Sequence, residues 1–436
     1  MDSKTVLHPQ SGIAPLSQFD LWAVPATQIS AERDIESDHR PMSSVSQESP
    51  IEFQITTARD EYLNFAETYL YLKCRVKLNK DGELAPTSAD WDTIIPTQYF
   101  MHSILKQVDL YLNGKSITHA PQEYNYKSYL EALLGFSDDA KKSYLTASLW
   151  TSDSERNQEI RPLSDTSQIG KTFDMYGRLH LDLTFQERLL IGGCELRIIL
   201  TPDNPQFYFQ AGDGLRPTLE IQEAILYVHK TKATPALLAA HTRAHSINPV
   251  VYPISRNEIV LHNLSQGFID ATMDNVIRGQ MPRRMFVSLV PQSTLRGNYR
   301  KNPYQFDHFD ICYFAAFVDG VQYPSQPFTP NFSSGLYARE FVSLYTALNQ
   351  NNTDSFASIT KKDFGKGNTI FAVNFAPDLS SGPGAVGHVS PIHYGFLRLH
   401  IKFSKALTES VNVIMYVEYD NVIEIHETRQ VTTSYN

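Results

Sequence analysis

Cysteine is scarce. Cys74, Cys194 and Cys312 are the three in 436 residues, far apart and each inside a strand-like stretch. That spacing offers neither a disulfide framework nor a paired-thiol zinc motif, so buried reduced thiols are the expectation. Positive charge is short as well: 38 Lys and Arg face 47 Asp and Glu. The resulting net charge of −9 argues against a surface given over to wrapping nucleic acid. No apolar run approaches the roughly 18 to 20 residues that would span a bilayer. The opening MDSKTVLHPQSG lacks the basic-then-apolar pattern of a secretory leader, and Asp2 excludes N-terminal myristoylation. The expectation is a protein made inside a cell and not secreted through a signal peptide.

Against these absences stands a repeated unit. From His102 to Phe136 the chain reads HSILKQVDLYLNGKSITHAPQEYNYKSYLEALLGF. Val108, Leu110 and Leu112 alternate with Gln107, Asp109 and Tyr111, the period-two pattern of a strand with one buried face. Asn113-Gly114 then supplies the positive φ angles of a tight turn. Tyr126, Tyr129, Leu130, Leu133 and Leu134 fall at helical spacing, with Gly135 where the helix should end. From Asp310 the order recurs in DICYFAAFVDGVQYPSQPFTPNFSSGLYAREFVSLYTALN. Here Asp319-Gly320 is the turn, and Leu336, Phe341, Leu344, Tyr345 and Leu348 mark the helix. Strand-like stretches follow each helix, at 179–185, 194–201 and 219–230 and again at 369–375, 396–404 and 411–427. The pattern predicts two copies of one β-rich domain about 200 residues apart.

Residues 1–49, with Pro9, Pro15, Pro25 and Pro41 and a mixed charged stretch, read as an extended arm anchored around Phe19, Leu21 and Trp22. The first domain is expected over 50–232, opening with the alternating Ile51, Phe53 and Ile55. Within it, 137–176 reads as a short helix and a polar loop inserted between strands. A linker helix follows over 233–248, with Thr234 as cap and Pro235 in the first turn. The second domain is expected over 249–436. Short strands, long loops and no βαβ alternation argue for antiparallel sandwiches. About eight strands per copy, with a helix in a mid-sequence connection, fit a jelly roll better than an immunoglobulin fold. The expected fold is therefore all-β with short inserted helices, a double jelly roll of two tandem eight-stranded antiparallel sandwiches.

Signals of chemistry are weak. Gly382-Pro-Gly-Ala-Val-Gly387 matches the spacing of a dinucleotide loop, but Pro383 sits inside it and no helix begins after it, so an exposed loop is the better reading. His241 and His245 have the spacing of two zinc ligands on a helix, yet Thr242 stands where a zincin needs Glu, and solvated histidines are expected. None of the 14 histidines shows the His-x-His spacing of metal-binding cupins. Serine-elbow and phosphate-loop patterns are missing too. Neither a catalytic residue nor a cofactor or metal site is expected, and the protein reads as no enzyme. Arg278, Arg283, Arg284, Arg296, Arg300 and Lys301 form an acid-free basic stretch with Tyr299, Tyr304 and Phe306 nearby. Such a mixture suits a nucleic-acid groove, but contact with acidic residues of another subunit is the favoured reading.

A family resemblance rests on longer stretches. GNYRKNPYQFDHFDICYFAAFVDGVQYPSQPFTPNF (297–332) resembles the corresponding stretch of the major capsid proteins of Polinton/Maverick elements and adintoviruses. QYFMHSILKQVDLYLNGKSIT with EYNYKSYLEALL, and the opening DLWAVPATQISAERDIESDHRPMSSVSQESPIEFQI, resemble the same family. The resemblance implies a hexon-like subunit of the double jelly-roll lineage, related in fold to adenovirus hexon and virophage capsid proteins. It implies a homotrimeric, pseudo-hexagonal capsomer in the icosahedral shell of a double-stranded DNA virus or virus-like element. Its partners would be further copies of itself, neighbouring capsomers, and penton and minor capsid proteins, with the loops 113–175, 321–368 and 376–395 at the outer end. The competing reading is a carbohydrate-binding or carbohydrate-active double jelly roll, which needs exposed aromatics along a groove with carboxylates beside them.

Overall fold

The structure is a computed structural model that describes residues 10, 16–45, 49–81, 86–118, 123–162, 167–351, 353, 357–380 and 388–435. The first sandwich uses β1 (Ala31–His39), β2 (Ile51–Thr56), β3 (Glu61–Lys80), β4 (Leu105–Leu112), β5 (Lys115–Ser116), β6 (Ile169–Arg178), β7 (Glu195–Pro202) and β8 (Leu215–Ala233). The second uses β9 (Val250–Leu264), β10 (Asp270–Gln280), β11 (Arg284–Pro291), β12 (Ile311–Val318), β13 (Val321–Phe328), β14 (Phe371–Asn374), β15 (Tyr394–Phe403) and β16 (Val411–Ile425). The sheets of the first are ordered β1-β8-β3-β6 and β2-β7-β4-β5, those of the second β9-β16-β11-β14 and β10-β15-β12-β13. Adding eight to every strand number of the first sandwich gives the second. One jelly-roll topology is thus used twice in tandem, and the expected double jelly roll is the observed fold. A short β17 (Val431–Thr433) pairs with the end of β16.

The repeated unit folds as its residues dictate. Val108, Leu110 and Leu112 of β4 are buried while their alternates are not. Asn113 and Gly114 take φ of +48° and +78°, and Asp319 and Gly320 take +48° and +86°, so both hairpins close on the same left-handed pair. The helices that follow are α1 (Tyr124–Gly135) and, in the second copy, α3 (Ala338–Leu348). Leu336 precedes α3 and is exposed. Between the sandwiches runs α2 (Pro235–His245), with Thr234 at its N-cap position.

Three expectations need correction. Residues 31–39, assigned to the arm, form β1, an edge strand paired with β8 from Ala31–Ala233 to His39–Leu226. Its sequence AERDIESDH shows no apolar face because the ladder and flanking side-chain hydrogen bonds, such as Asp34 with His229 at 2.6 Å, hold it instead. The end of the stretch read as polar loop is β6, which buries only Gly170, Phe173 and Met175 on one side. Residues 179–185, expected as a strand, end in a 3₁₀ turn over Asp182–Phe185. There Thr184 Oγ donates to the carbonyls of Leu179 (2.9 Å) and Leu181 (2.7 Å), which curls the backbone away from a ladder. In addition, Phe19, Leu21 and Trp22 are exposed rather than anchored within the chain.

The two sandwiches meet across the β9-β16-β11-β14 sheet. In β11 and β16 alternate residues serve different cores. Met285, Val287, Leu289, Val413, Met415 and Val417 pack inside the second sandwich. Phe286, Val290, Ile414 and Tyr416 instead join the core continuous with the first. A sheet covered on both faces reads as an unbroken apolar run, and VIMYV (413–417) in β16 is one. The wedge between sandwiches is α1, nine of whose twelve residues are buried. Tyr129 on α1 stacks on Tyr304 of the second half, centroids 3.9 Å apart and planes 4° from parallel.

Candidate functional site

The sequence-predicted residues scatter. Gly382–Gly387 lies outside the described residues. Of the basic stretch, Arg283 and Arg284 are buried at the base of β11. Arg283 holds Asp420 (2.7 Å) and Glu418 (2.8 Å), and Arg284 donates from Nε to Glu418 (2.7 Å) and from Nη1 to the Ala347 carbonyl (3.0 Å). These four charges close on one another inside the chain, so Arg283 and Arg284 cannot reach another molecule. Arg278 is exposed over the Phe396 ring, and Arg296 is exposed. Arg300 pairs with Asp213, and Lys301 with Glu409 at 3.0 Å. Tyr304 and Phe306 are buried against α1, where no base could stack on them. The six basic residues therefore share no face.

One polar cluster was not visible from spacing. Behind α1, Glu131 accepts from His180 Nδ1 (2.7 Å) and from Asn257 Nδ2 (2.8 Å), so a first-half carboxylate bonds to β9 of the second half. His180 Nε2 meets the Tyr99 hydroxyl at 2.7 Å, and Tyr124 links His102 Nδ1 (2.9 Å) to the His180 N–H (3.0 Å). Lys127 holds Asp182 at 2.6 Å beside them. Burial pushes the Glu131 carboxyl up to about 7, partly opposed by Lys127, and drives His180 down to about 3 and His102 well below its usual range. A carboxylate–histidine–hydroxyl chain has the form of a catalytic triad. Here the imidazole is 2% exposed, and the hydroxyl it meets belongs to the buried Tyr99, so no substrate carbonyl could approach. What the chain can do is fasten the halves together. No short motif marks it, since its members come from four separate segments, around residues 99–102, 124–131, 180–182 and 257.

A groove of about 540 Å³ lies under α2, where both halves meet. Leu189, Ile191, Leu237, Val250 and Tyr252 make it apolar. His241, exposed as expected, hydrogen-bonds Tyr62 at 2.8 Å. His245 is buried among the groove's lining residues, contrary to expectation, and its Nε2 has no hydrogen-bond partner among the described residues. No acid is among the described lining residues. Among the described residues, no cluster of His, Cys, Asp and Glu is placed to hold a metal ion.

Comparison with known proteins places this architecture. No family model matches the chain. The uncharacterized protein F54H12.2 of Caenorhabditis elegans is 25% identical over 351 residues, covering 76% of this chain and 81% of that protein. The Faustovirus major capsid protein superposes with a TM-score of 0.61 at 8% identity, covering 92% of each chain. A chain of the Sputnik virophage gives 0.60 at 10% identity over 99% of this chain and 94% of its own. The mavirus major capsid protein gives 0.55 at 11%, covering 99% and 96%. At such identities the likeness establishes the fold, end to end in both partners. The chain has the double jelly-roll fold found in these viral capsid proteins.

Proposed function

We propose that this chain is a major capsid protein, a structural subunit without catalytic activity. Three copies form a pseudo-hexagonal capsomer, and capsomers tile the icosahedral shell of a double-stranded DNA virus or virus-like element. The observation that carries the reading is the exact repetition of strand order in two sandwiches of one chain. Two similar walls per chain, taken three times around an axis, make six near-equivalent sides, and heterologous contacts between copies close the ring. The junction built by α1, Glu131 and Asn257 supports it, because walls to be tiled must keep a fixed angle. Partners on this reading are further copies of the chain, neighbouring capsomers, and penton and minor capsid proteins, with the virion capsid as its place. Arg278, Arg296, Arg300 and Lys301 remain available for contacts between subunits. Kinship with Polinton/Maverick and adintovirus capsid proteins belongs to the same proposal.

The competing sugar-binding reading lacks support from the groove, whose described lining offers no carboxylate pair. Size-exclusion chromatography with light scattering tests the choice. A mass near three times 49.4 kDa, with hexagonal or triangular particles in micrographs, is expected. A stable monomer at micromolar concentration that binds oligosaccharides would overturn the reading.

A further inference from the structure

Residues 16–29 run outside both sandwiches and display large apolar side chains. Leu16, Phe19, Leu21, Trp22, Val24 and Ile29 are 63–87% exposed. Apolar residues scattered singly over a surface are ordinary, but six in one short segment, which opens with a 3₁₀ turn over Ser17–Phe19, mark a contact surface. Pro25 keeps the segment from continuing as a helix. The ten residues after that turn, 20–29, reach roughly 33 Å when extended, enough to cross a neighbouring domain.

The root of this segment is pinned beside the groove under α2. Thr234 donates from Oγ to the Ile29 carbonyl (3.2 Å) and from its N–H to that of Ser30 (3.0 Å). The Gln28 side chain accepts from the N–H groups of Ser30 (2.5 Å) and Ala31 (3.1 Å). Ser30 and Ala31 form part of the groove's rim. None of residues 16–29 is among the described residues that line the groove.

Groove and segment are complementary in two further respects. Asp20 is the one charged residue in 16–29, and Arg188 is the one Lys or Arg among the described lining. His245 is 8% exposed and its Nε2 has no partner among the described residues, and a segment laid alongside in extended form brings backbone N–H and C=O groups to it. We propose that residues 16–29 of one copy lie in the groove under α2 of a neighbouring copy, tying copies together by exchanged arms. The inference rests on the capsomer reading, since it requires copies side by side.

Cross-linking of the full chain tests it. Copies carrying Ala23→Cys are mixed with copies carrying Ala244→Cys, both in a Cys312→Ser background, under mild oxidation, and light scattering is recorded on the same samples. The expected result is an intermolecular disulfide between residues 23 and 244. Adding Trp22→Ala and Leu21→Ala should lower its yield about tenfold or more, as loss of aromatic anchors does. Trimers without this cross-link would overturn the arm exchange while leaving the capsid reading intact. A doubly substituted chain that cross-links only within itself would overturn it too, by returning the arm to its own groove. Flotation with phosphatidylcholine–phosphatidylserine vesicles, lost in Trp22→Ala and unaccompanied by cross-linking, would show the arm to be a membrane anchor and also overturn it. Absence of any oligomer would strike the capsid reading itself.

Discussion

The last strands of the two sandwiches hold the same place in the same topology, yet they are written differently. β8 reads LRPTLEIQEAILYVHKTKA and alternates, with Arg216, Glu220 and Gln222 turned away from its core. β16 reads VNVIMYVEYDNVIEI and is buried along nearly its whole length. The helices diverge in the opposite sense: α1 buries nine of twelve residues, α3 only Glu340, Leu344 and Ala347 of eleven. The first sandwich therefore lends its helix to the junction, and the second lends a sheet. Topology was duplicated, but surface was not. Divergence between the copies marks where one covers the other.

The largest effect should come from the covered sheet. Ile414→Ala removes a fully buried side chain that faces the first sandwich and should cost about 2–5 kcal/mol by urea denaturation. Gln222→Ala in β8 should stay within about 0.5 kcal/mol. Equal costs would break the comparison. The junction's titration gives the next test. In the fold Glu131 keeps its proton to about pH 7, but the unfolded carboxyl only to about 4.5, so its contribution is full below pH 4.5 and fades as pH rises to 7. His180 runs the other way. Its folded value of about 3 lies below the ordinary 6.5, so its contribution is full above pH 6.5 and is lost as pH falls towards 3. Between pH 4.5 and 6.5 the two oppose each other. Glu131→Gln removes the first and leaves the second, so urea midpoints of the variant should climb more steeply with pH across that window. An unchanged slope would show that Glu131 titrates as an exposed carboxyl does. The smallest effect sharpens the likeness instead: Gly114→Ala and Gly320→Ala each put a Cβ on positive φ and should cost about 1 kcal/mol, alike in both hairpins.

Much of this was legible in the sequence, and the reasons are local. Asn113-Gly114 and Asp319-Gly320 announced their hairpins, and the spacing of Tyr126, Tyr129, Leu130 and Leu133 announced α1, because turns and helices are encoded within a few residues. β1 and β6 were missed because each is held by neighbours distant in sequence and needs little apolar surface of its own. Arg283 and Arg284 looked like surface charge because their partners Glu418 and Asp420 lie about 135 residues away, joined to them only through the β11–β16 ladder. The Glu131–His180–Tyr99 chain was invisible for the same reason.

The shared sheet has a mechanical corollary. β11 and β16 belong to two interiors at once, so neither half can be cut free without presenting a bare greasy wall to water. Heating should melt the molecule in a single step, and the helix that bridges its halves works as a strut, never as a hinge.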